Sequence, residues 1–469
     1  MAAVFSLCAA YALYCLVTNP AGPITTPDSF HYLNMTPIVP LGYPFFLTFT
    51  GARGAIVAQP IIYSAALAFM GSEIVRATRN TWLAVAVVAG CLIVPQIREY
   101  HASILSESLF LSSLVVFLGL SIRFAHDPTW RLMVLVAITV GASAVVRRTG
   151  FAFVPVMLVM VLLQRQHLRP DSAKATSGSG GGSFRLRGHA ALFFIAALVP
   201  FGVIVGGEQV IAPLVHGGAP SSLLGRHVFA KAALIEAPPA PPSGDPVRRG
   251  LDEQLETAFA PIRSMLASAP YNVRGVLTIY YETCLQGGCA DEARALTLAP
   301  DEARQTELMG AAGLARIRRA PLNFLKLTWL HYGSLWTVNR LRHPDTVPAL
   351  NAFIAAHRPM PFEHYALALG PDRTLVFEPL PIVRYAQVAA FGLAVVTGGL
   401  AMLGLIAVFG PRLSPALVTA GIAALAAHGG LLLTALLAAG FTRFLLGLWP
   451  ALVVACAFGG YALKLKMKS

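Results

Sequence analysis

The chain alternates between long apolar blocks and short polar connections, and the blocks set the architecture before any motif is considered. Apolar windows near 2–19, 55–76, 81–96, 104–123, 131–147, 149–164, 189–212, 382–409, 414–437 and 441–463 predict ten membrane spans. Each approaches the roughly 17–25 residues that a helix needs to cross a hydrocarbon core. The fifth and sixth are short and are parted only by Arg147-Arg148-Thr149-Gly150, so one long broken segment is the alternative there. Polar sequence gathers in a first loop at roughly 20–54 and a long segment at 213–381. The expected fold is an all-α polytopic membrane protein. It has an N-terminal module over 1–212 with about seven spans, a mostly helical domain over 213–381, and a C-terminal module over 382–469 with about three spans. In the middle domain a Pro-rich stretch, APPAPPSGD, precedes polar helix-like sequence, PVRRGLDEQLETAFAPIRSML. Residues 316–337 are apolar enough to suggest a further span, but Lys326 and His331 would then lie at membrane depth, a costly placement unless paired. An interfacial amphipathic helix with aromatics at headgroup level is expected instead.

Composition supports this pattern. Apolar residues make up 56% of the chain and charged ones 12%, with a mean hydropathy of +0.65; a soluble domain carries roughly a quarter charged residues. Lys and Arg in the short connections set sidedness. Arg76 and Arg79, Arg123 and Arg131, the group Arg165, Arg169, Lys174, Arg185 and Arg187, then Arg412 and the tail Lys464, Lys466 and Lys468 fall on one side, read as cytoplasmic with both termini. The first loop and the middle domain then face outward. The N-terminus, MAAVFSLCAAYALYCLVTNP, lacks a basic leader region and a small-residue cleavage site, and reads as a retained first span. SAKATSGSGGGSF, at 172–184, reads as a flexible linker. The net charge of +13 fits basic inner loops, anionic lipid or a phosphate-bearing ligand. No helix-turn-helix or RNA-binding signature accompanies it, so nucleic acid is not an expected partner. Cys8, Cys15, Cys91 and Cys456 lie in apolar blocks as packing residues. Cys284 and Cys289, in CLQGGC, are spaced to close a disulfide in a non-cytoplasmic compartment.

Five arginines break the sidedness rule: Arg53, Arg98, Arg147, Arg148 and Arg443 fall at the outer ends of spans. A guanidinium stays protonated and binds phosphate oxygens through parallel hydrogen bonds. Taken singly, such residues are more simply snorkelling side chains or partners of Glu99 and Glu107. The paired Arg147-Arg148 in a very short turn, and Arg443 just inside an apolar block, favour a functional role. In the first outer loop, Asp28 is the only acidic residue, followed by His31 and Tyr32. It can accept a proton from a hydroxyl, although by itself it reads first as a helix N-cap. Glu107 sits about one turn into the fourth predicted span and needs a partner there. His31 and His101 with Asp28 or Glu107 offer metal-capable side chains, without a recognisable ligand spacing. Asn34-Met35-Thr36 matches a glycosylation acceptor, and no Walker A, GxGxxG, HExxH or Ser-His-Asp pattern is found.

Taken in order, PDSFHYL with PLGYPFFL, LSESLFLSSLVVFLGL, VVRRTGFAFVPVMLVMVLL and FTRFLLGLWPALVV resemble the GT-C superfamily of polytopic glycosyltransferases, particularly the bacterial aminoarabinose transferase and protein O-mannosyltransferase group. Ala311 to Trp336 resembles the segment before that family's last spans. The resemblance implies a GT-C-like fold in a bacterial inner membrane and a lipid-linked (polyprenyl-phosphate) sugar donor. The acceptor is an envelope component that the sequence does not identify. It implies Asp28 as catalytic base and Arg147, Arg148 and Arg443 on the donor phosphate, with His31, Tyr32 and Glu107 completing the substrate site. The proline usual after the paired arginines is absent. The loop also carries one acidic residue where many relatives have an acidic pair, which counts against a metal-dependent variant; no cofactor is firmly implied, and a divalent metal is the one left open. A membrane transporter, or a lipid-linked-glycan polymerase or ligase, are the alternative classes; the lack of an internal repeat counts against transporter folds.

Overall fold

The computed structural model describes residues 1–167, 182–216, 223–260, 263, 284–285, 289–299, 301–336, 381–410, 413–437 and 442–467, with the side chains of 27, 164–167, 182–190, 381–387 and 442–443 left aside. Residues 172–181 of the Gly/Ser segment and the side chain of Arg443 lie outside that description, while 182–184 are helical. Among the described residues the chain is helical, with one isolated bridge between Ile24 and Ser103. In chain order the helices are α1 (Ala2–Thr18), α2 (Pro27–Leu33), α3 (Gly42–Thr78), α4 (Thr81–Leu92), α5 (Pro95–Ala102), α6 (Glu107–His126) and α7 (Trp130–Val146). A short 3-10 turn (Arg148–Ala152) leads into α8 (Phe153–His167) and α9 (Gly182–His216). Then come α10 (Leu224–Ala233), α11 (Pro246–Thr257), α12 (Cys289–Leu296), α13 (Glu302–Arg319) and α14 (Pro321–Leu335). The last are α15 (Pro381–Phe409), α16 (Pro415–Leu437), α17 (Thr442–Leu446) and α18 (Trp449–Lys466).

The chain is an all-α, multi-pass membrane protein. Among the described residues, five helices are long and apolar enough to cross a bilayer: Gly42–Thr78, Glu107–His126, Ala191–His216, Val388–Phe409 and Pro415–Leu437. Thr81–Leu92 and Pro95–Ala102, bent by 64°, supply a sixth if they count as one span. Ala2–Thr18, Trp130–Val146 and Arg148–Leu163 are apolar but shorter, so length and composition alone do not reach ten spans among the described residues. The bend between α4 and α5 has a local cause. A residue before proline is pushed out of the helical region, and Val94, preceding Pro95, adopts φ −87° and ψ 110°.

The first loop is more ordered than its polarity suggests. Part of it forms α2, and α3 starts at Gly42, well before the apolar window at 55–76. Gly51, with φ 66° and ψ 167°, kinks α3, in a region of backbone space that favours glycine. The apolar GYPFFLTFT run before this kink is therefore helix rather than loop.

Contacts divide the chain into two units, one of Met1–Gly218, Val395–Gly430 and Leu446–Ser469, the other of Ala219–Ala394 and Leu431–Leu445. In the first, α3 packs on α6, α1 and α4, and α7 packs on α9 and α6. α18 lies against α4 and α6. Trp449 donates its indole N–H to the Gly90 carbonyl at 2.8 Å.

The second unit has its own core, including Phe229, Leu251, Leu255, Phe259 and Met309. Gly225 and Gly313 allow α10 and α13 to approach backbone to backbone. Arg316 is fully buried, paired with Glu256 at 2.5 Å and donating to the Ile235 carbonyl. Cys284 and Cys289 form the disulfide that their spacing allowed. The 316–337 segment is two helices rather than one. α13 ends at Arg319, Ala320 leaves helical geometry at φ −140° and ψ 59°, and Pro321 opens α14. Leu322, Leu325 and Trp329 stay exposed on α14. Lys231 is buried with its ammonium on the His331 ring nitrogen and, at 2.6 Å, the Ala435 carbonyl, and burial pulls it towards its neutral form.

Candidate functional site

At one end of the first unit, the first loop, the start of α6 and the Arg-Arg turn meet. The loop is tied to the α5–α6 connection by backbone bonds from Ile24 N–H to the Ala102 carbonyl at 2.9 Å and from Ile104 N–H to the Ile24 carbonyl at 3.0 Å. Within the loop α2 opens with a capping box: Thr26 is the N-cap, and the Ser29 hydroxyl accepts from Thr26 N–H at 2.8 Å. The same hydroxyl donates to the Ile104 carbonyl at 2.9 Å. Asp28 is therefore not the cap that its position suggested. It lies in the first helical turn with its side chain exposed, where the helix dipole favours a negative charge.

One turn on, Tyr32 is buried, packed edge-on against Tyr43 with ring centroids 5.0 Å apart. Its hydroxyl shares a 2.9 Å hydrogen bond with Ser106 Oγ. Burial, reinforced by the nearby Glu107 carboxylate, pushes the phenol up to about 12, so Tyr32 is a neutral hydrogen-bonding group at ordinary pH.

Ser106 is the N-cap residue of α6, and Glu107 is the helix's first residue. Arg147 reaches both, with Nη1 at 2.8 Å from Glu107 Oε2 and 3.3 Å from Ser106 Oγ. The two charged side chains are 18% and 6% exposed. Burial alone would push the guanidinium towards its neutral form, but Glu107, with smaller help from Tyr32 and Asp28, outweighs it and the net direction is upward. The pair is ionic. Asp28 thus lies within electrostatic reach of both Arg147 and Tyr32.

The next residue turns elsewhere. Arg148 Nη1 is 2.6 Å from Glu208 Oε2 on α9, while Glu208 Oε1 accepts the Leu41 N–H at 3.1 Å. Glu208 is buried, with its side chain 4% exposed, whereas Arg148 is 48% exposed. The two arginines diverge because α7 ends at Val146 and Arg147 is extended, at φ −153° and ψ 129°. The turn closes through Gly150 N–H on the Arg147 carbonyl at 2.8 Å. A Cβ at Gly150 would meet the Ser143–Ala144 backbone at 2.5 Å, and one at Gly42 would meet the Val145 carbonyl oxygen at 2.7 Å. Gly150→Ala should therefore destabilise the protein by about 1–3 kcal/mol, the usual cost of overpacking. Thermal unfolding in lipid nanodiscs measures this, and an unchanged midpoint would show that the turn relaxes freely.

Below the site, Gln59 joins three elements. It accepts from Tyr43 Oη at 3.1 Å and donates to the carbonyls of His101 and Ser103 at 3.0 and 3.2 Å. The buried His101 ring bonds Ser108 Oγ through Nδ1 at 2.7 Å. His31 instead bonds Thr36 Oγ1 through Nδ1 at 3.1 Å and packs edge-on against Phe30. Among the described residues, no group of three or more His, Cys, Asp and Glu could hold a metal ion.

Asp28, Tyr32, Glu107 and Arg147 are thus gathered in one place, with Arg148 beside them on a second carboxylate. Arg98 donates to the Thr18 carbonyl at 2.7 Å and lies over the Tyr14 ring, which accounts for it locally. Arg53 is exposed on α3. Glu208, Ser106 and Gln59 escaped the sequence reading. Only Glu208 carried a usable signal, as the one acidic residue in the apolar block at 189–212. Chemically, the exposed carboxylate can accept a proton, and the half-exposed guanidinium can bind an anion. No protein-family model, curated protein or solved structure matches the chain.

Proposed function

We propose that this chain is a membrane glycosyltransferase that moves a sugar from a polyprenyl-phosphate donor to a hydroxyl acceptor on the outer face of a bacterial inner membrane. In this reading both termini are cytoplasmic, the segment at 213–381 faces outward, and the shorter apolar helices complete a GT-C-like set of about ten spans. The observation that carries it is the placement of Asp28, an exposed carboxylate, within electrostatic reach of Arg147 and Tyr32 at one end of the helix bundle.

The reaction follows from those groups. The acceptor oxygen attacks the anomeric carbon while Asp28 takes its proton. The bond from that carbon to the phosphate oxygen breaks, and the polyprenyl phosphate leaves with the electron pair. Positive charge already fixed beside the phosphate stabilises the charge that builds there, a role suited to the half-exposed Arg148. Retention would need a second carboxylate as nucleophile. Glu107 is buried and held by Arg147, which favours direct displacement with inversion at the anomeric carbon.

The test uses the full-length protein in nanodiscs, incubated with radiolabelled polyprenyl-phosphate sugars and envelope extract. Label should pass to an extract component only when protein and lipid donor are both present. If no donor in the panel gives transfer, while the protein moves a labelled lipid across the bilayer, the transporter class replaces this reading.

A further inference from the structure

We propose that Glu208 is a positioning residue, a buried carboxylate that aims Arg148 at the donor phosphate and fixes the turn into α3 against it. The inference rests on the donor assigned above. Glu208 contributes both of its oxygens to the corner: Oε2 takes Arg148 Nη1 at 2.6 Å, and Oε1 takes the Leu41 N–H at 3.1 Å. Side-chain exposure divides the work between the two arginines. Arg147 is 18% exposed and closed against Glu107 and Ser106, whereas Arg148 is 48% exposed. Arg148 is consequently the guanidinium able to meet an incoming phosphate, and Arg147 is the one that holds the α6 and α7 ends together. An arginine tethered through one nitrogen loses less rotamer freedom on binding than an unrestrained one.

The surroundings give the tether no slack. Gly42, next to Leu41, abuts the Val145 carbonyl, and Gly150, two residues after Arg148, abuts the Ser143–Ala144 backbone. Loss of the carboxylate would release both the Leu41 turn and Arg148. Loss of its charge alone would release only Arg148, because an amide oxygen can still accept the Leu41 N–H.

Wild type, Glu208→Gln, Arg148→Ala and the double variant are placed in phosphatidylcholine nanodiscs, and binding of undecaprenyl phosphate is compared with binding of uncharged undecaprenol. The wild type should prefer the phosphate. Glu208→Gln and Arg148→Ala should each reduce that preference by about tenfold, and Glu208→Gln should change nothing further in the Arg148→Ala background. In parallel, hydrogen exchange of the peptide carrying Leu41 should stay slow in Glu208→Gln and accelerate in Glu208→Ala. A purely structural Glu208 would weaken both ligands alike and leave the preference intact. Retention of the wild-type preference in Glu208→Gln overturns the role of Glu208 and leaves the donor reading standing. A wild type with no preference for the phosphate overturns the donor reading, and the assignment of Arg148 with it.

Discussion

Asp28→Asn is expected to lower transfer by about 10²–10⁴-fold, the usual contribution of a positioned general base, while the protein stays folded. Asparagine keeps the shape of the side chain and gives up its capacity to hold the acceptor's proton. The structural cost is small because the helix does not depend on Asp28 for its cap: Thr26 and Ser29 supply the capping box, and Ser29 ties α2 to the Ile104 carbonyl. What is lost includes the favourable interaction of a carboxylate with the first turn, about 0.3–1 kcal/mol, and its attraction to Arg147. Initial rates of label transfer at saturating donor, set beside thermal unfolding of the same preparation, separate the two effects. The affinity for undecaprenyl phosphate should be nearly unchanged, since the proposed phosphate contact is Arg148. Transfer by Asp28→Asn at a rate within tenfold of the wild type would remove Asp28 from the base role.

How much of this could be read beforehand differs from residue to residue. The apolar blocks announce a membrane protein because blocks of span length have no other comfortable environment, and the helices that result start and stop where proline and glycine act locally. Pro95 bends α4 from α5, and Pro321 separates α13 from α14. Window hydropathy hid the early start of α3, because Gly51 to Gly54 interrupts the apolar run at a kink that is still helical on both sides. The candidate residues Asp28, Tyr32, Glu107 and Arg147 were visible as unusual chemistry at the ends of apolar blocks. Their convergence was not, since it depends on a loop held by Ile24 and Ser29 to a connection about 80 residues further along. Glu208 shows the opposite limit. A single carboxylate late in an apolar block signals that a partner exists, but only three-dimensional packing identifies that partner as Arg148, 60 residues earlier.

Glu107→Ala should destabilise the protein by about 3–5 kcal/mol, the cost of removing one partner from a buried ion pair. The prediction depends on geometry as much as on burial. The Arg147–Glu107 contact is short, at 2.8 Å, and both side chains are largely withdrawn from solvent. Ser106 Oγ then links the guanidinium to the Tyr32 hydroxyl. Arg147→Met should cost a similar amount, because it leaves a carboxylate at the end of an apolar helix without the cation it faces. The double variant Glu107→Leu with Arg147→Met should recover most of the loss, as apolar replacements of buried pairs are often neutral. A double-mutant cycle on unfolding in nanodiscs reads the coupling directly, and single variants costing under about 1 kcal/mol each would mean that water reaches the pair. Restored stability should not restore transfer. Arg147 holds a positive charge within electrostatic reach of Asp28, and an apolar pair that folds equally well no longer supplies it.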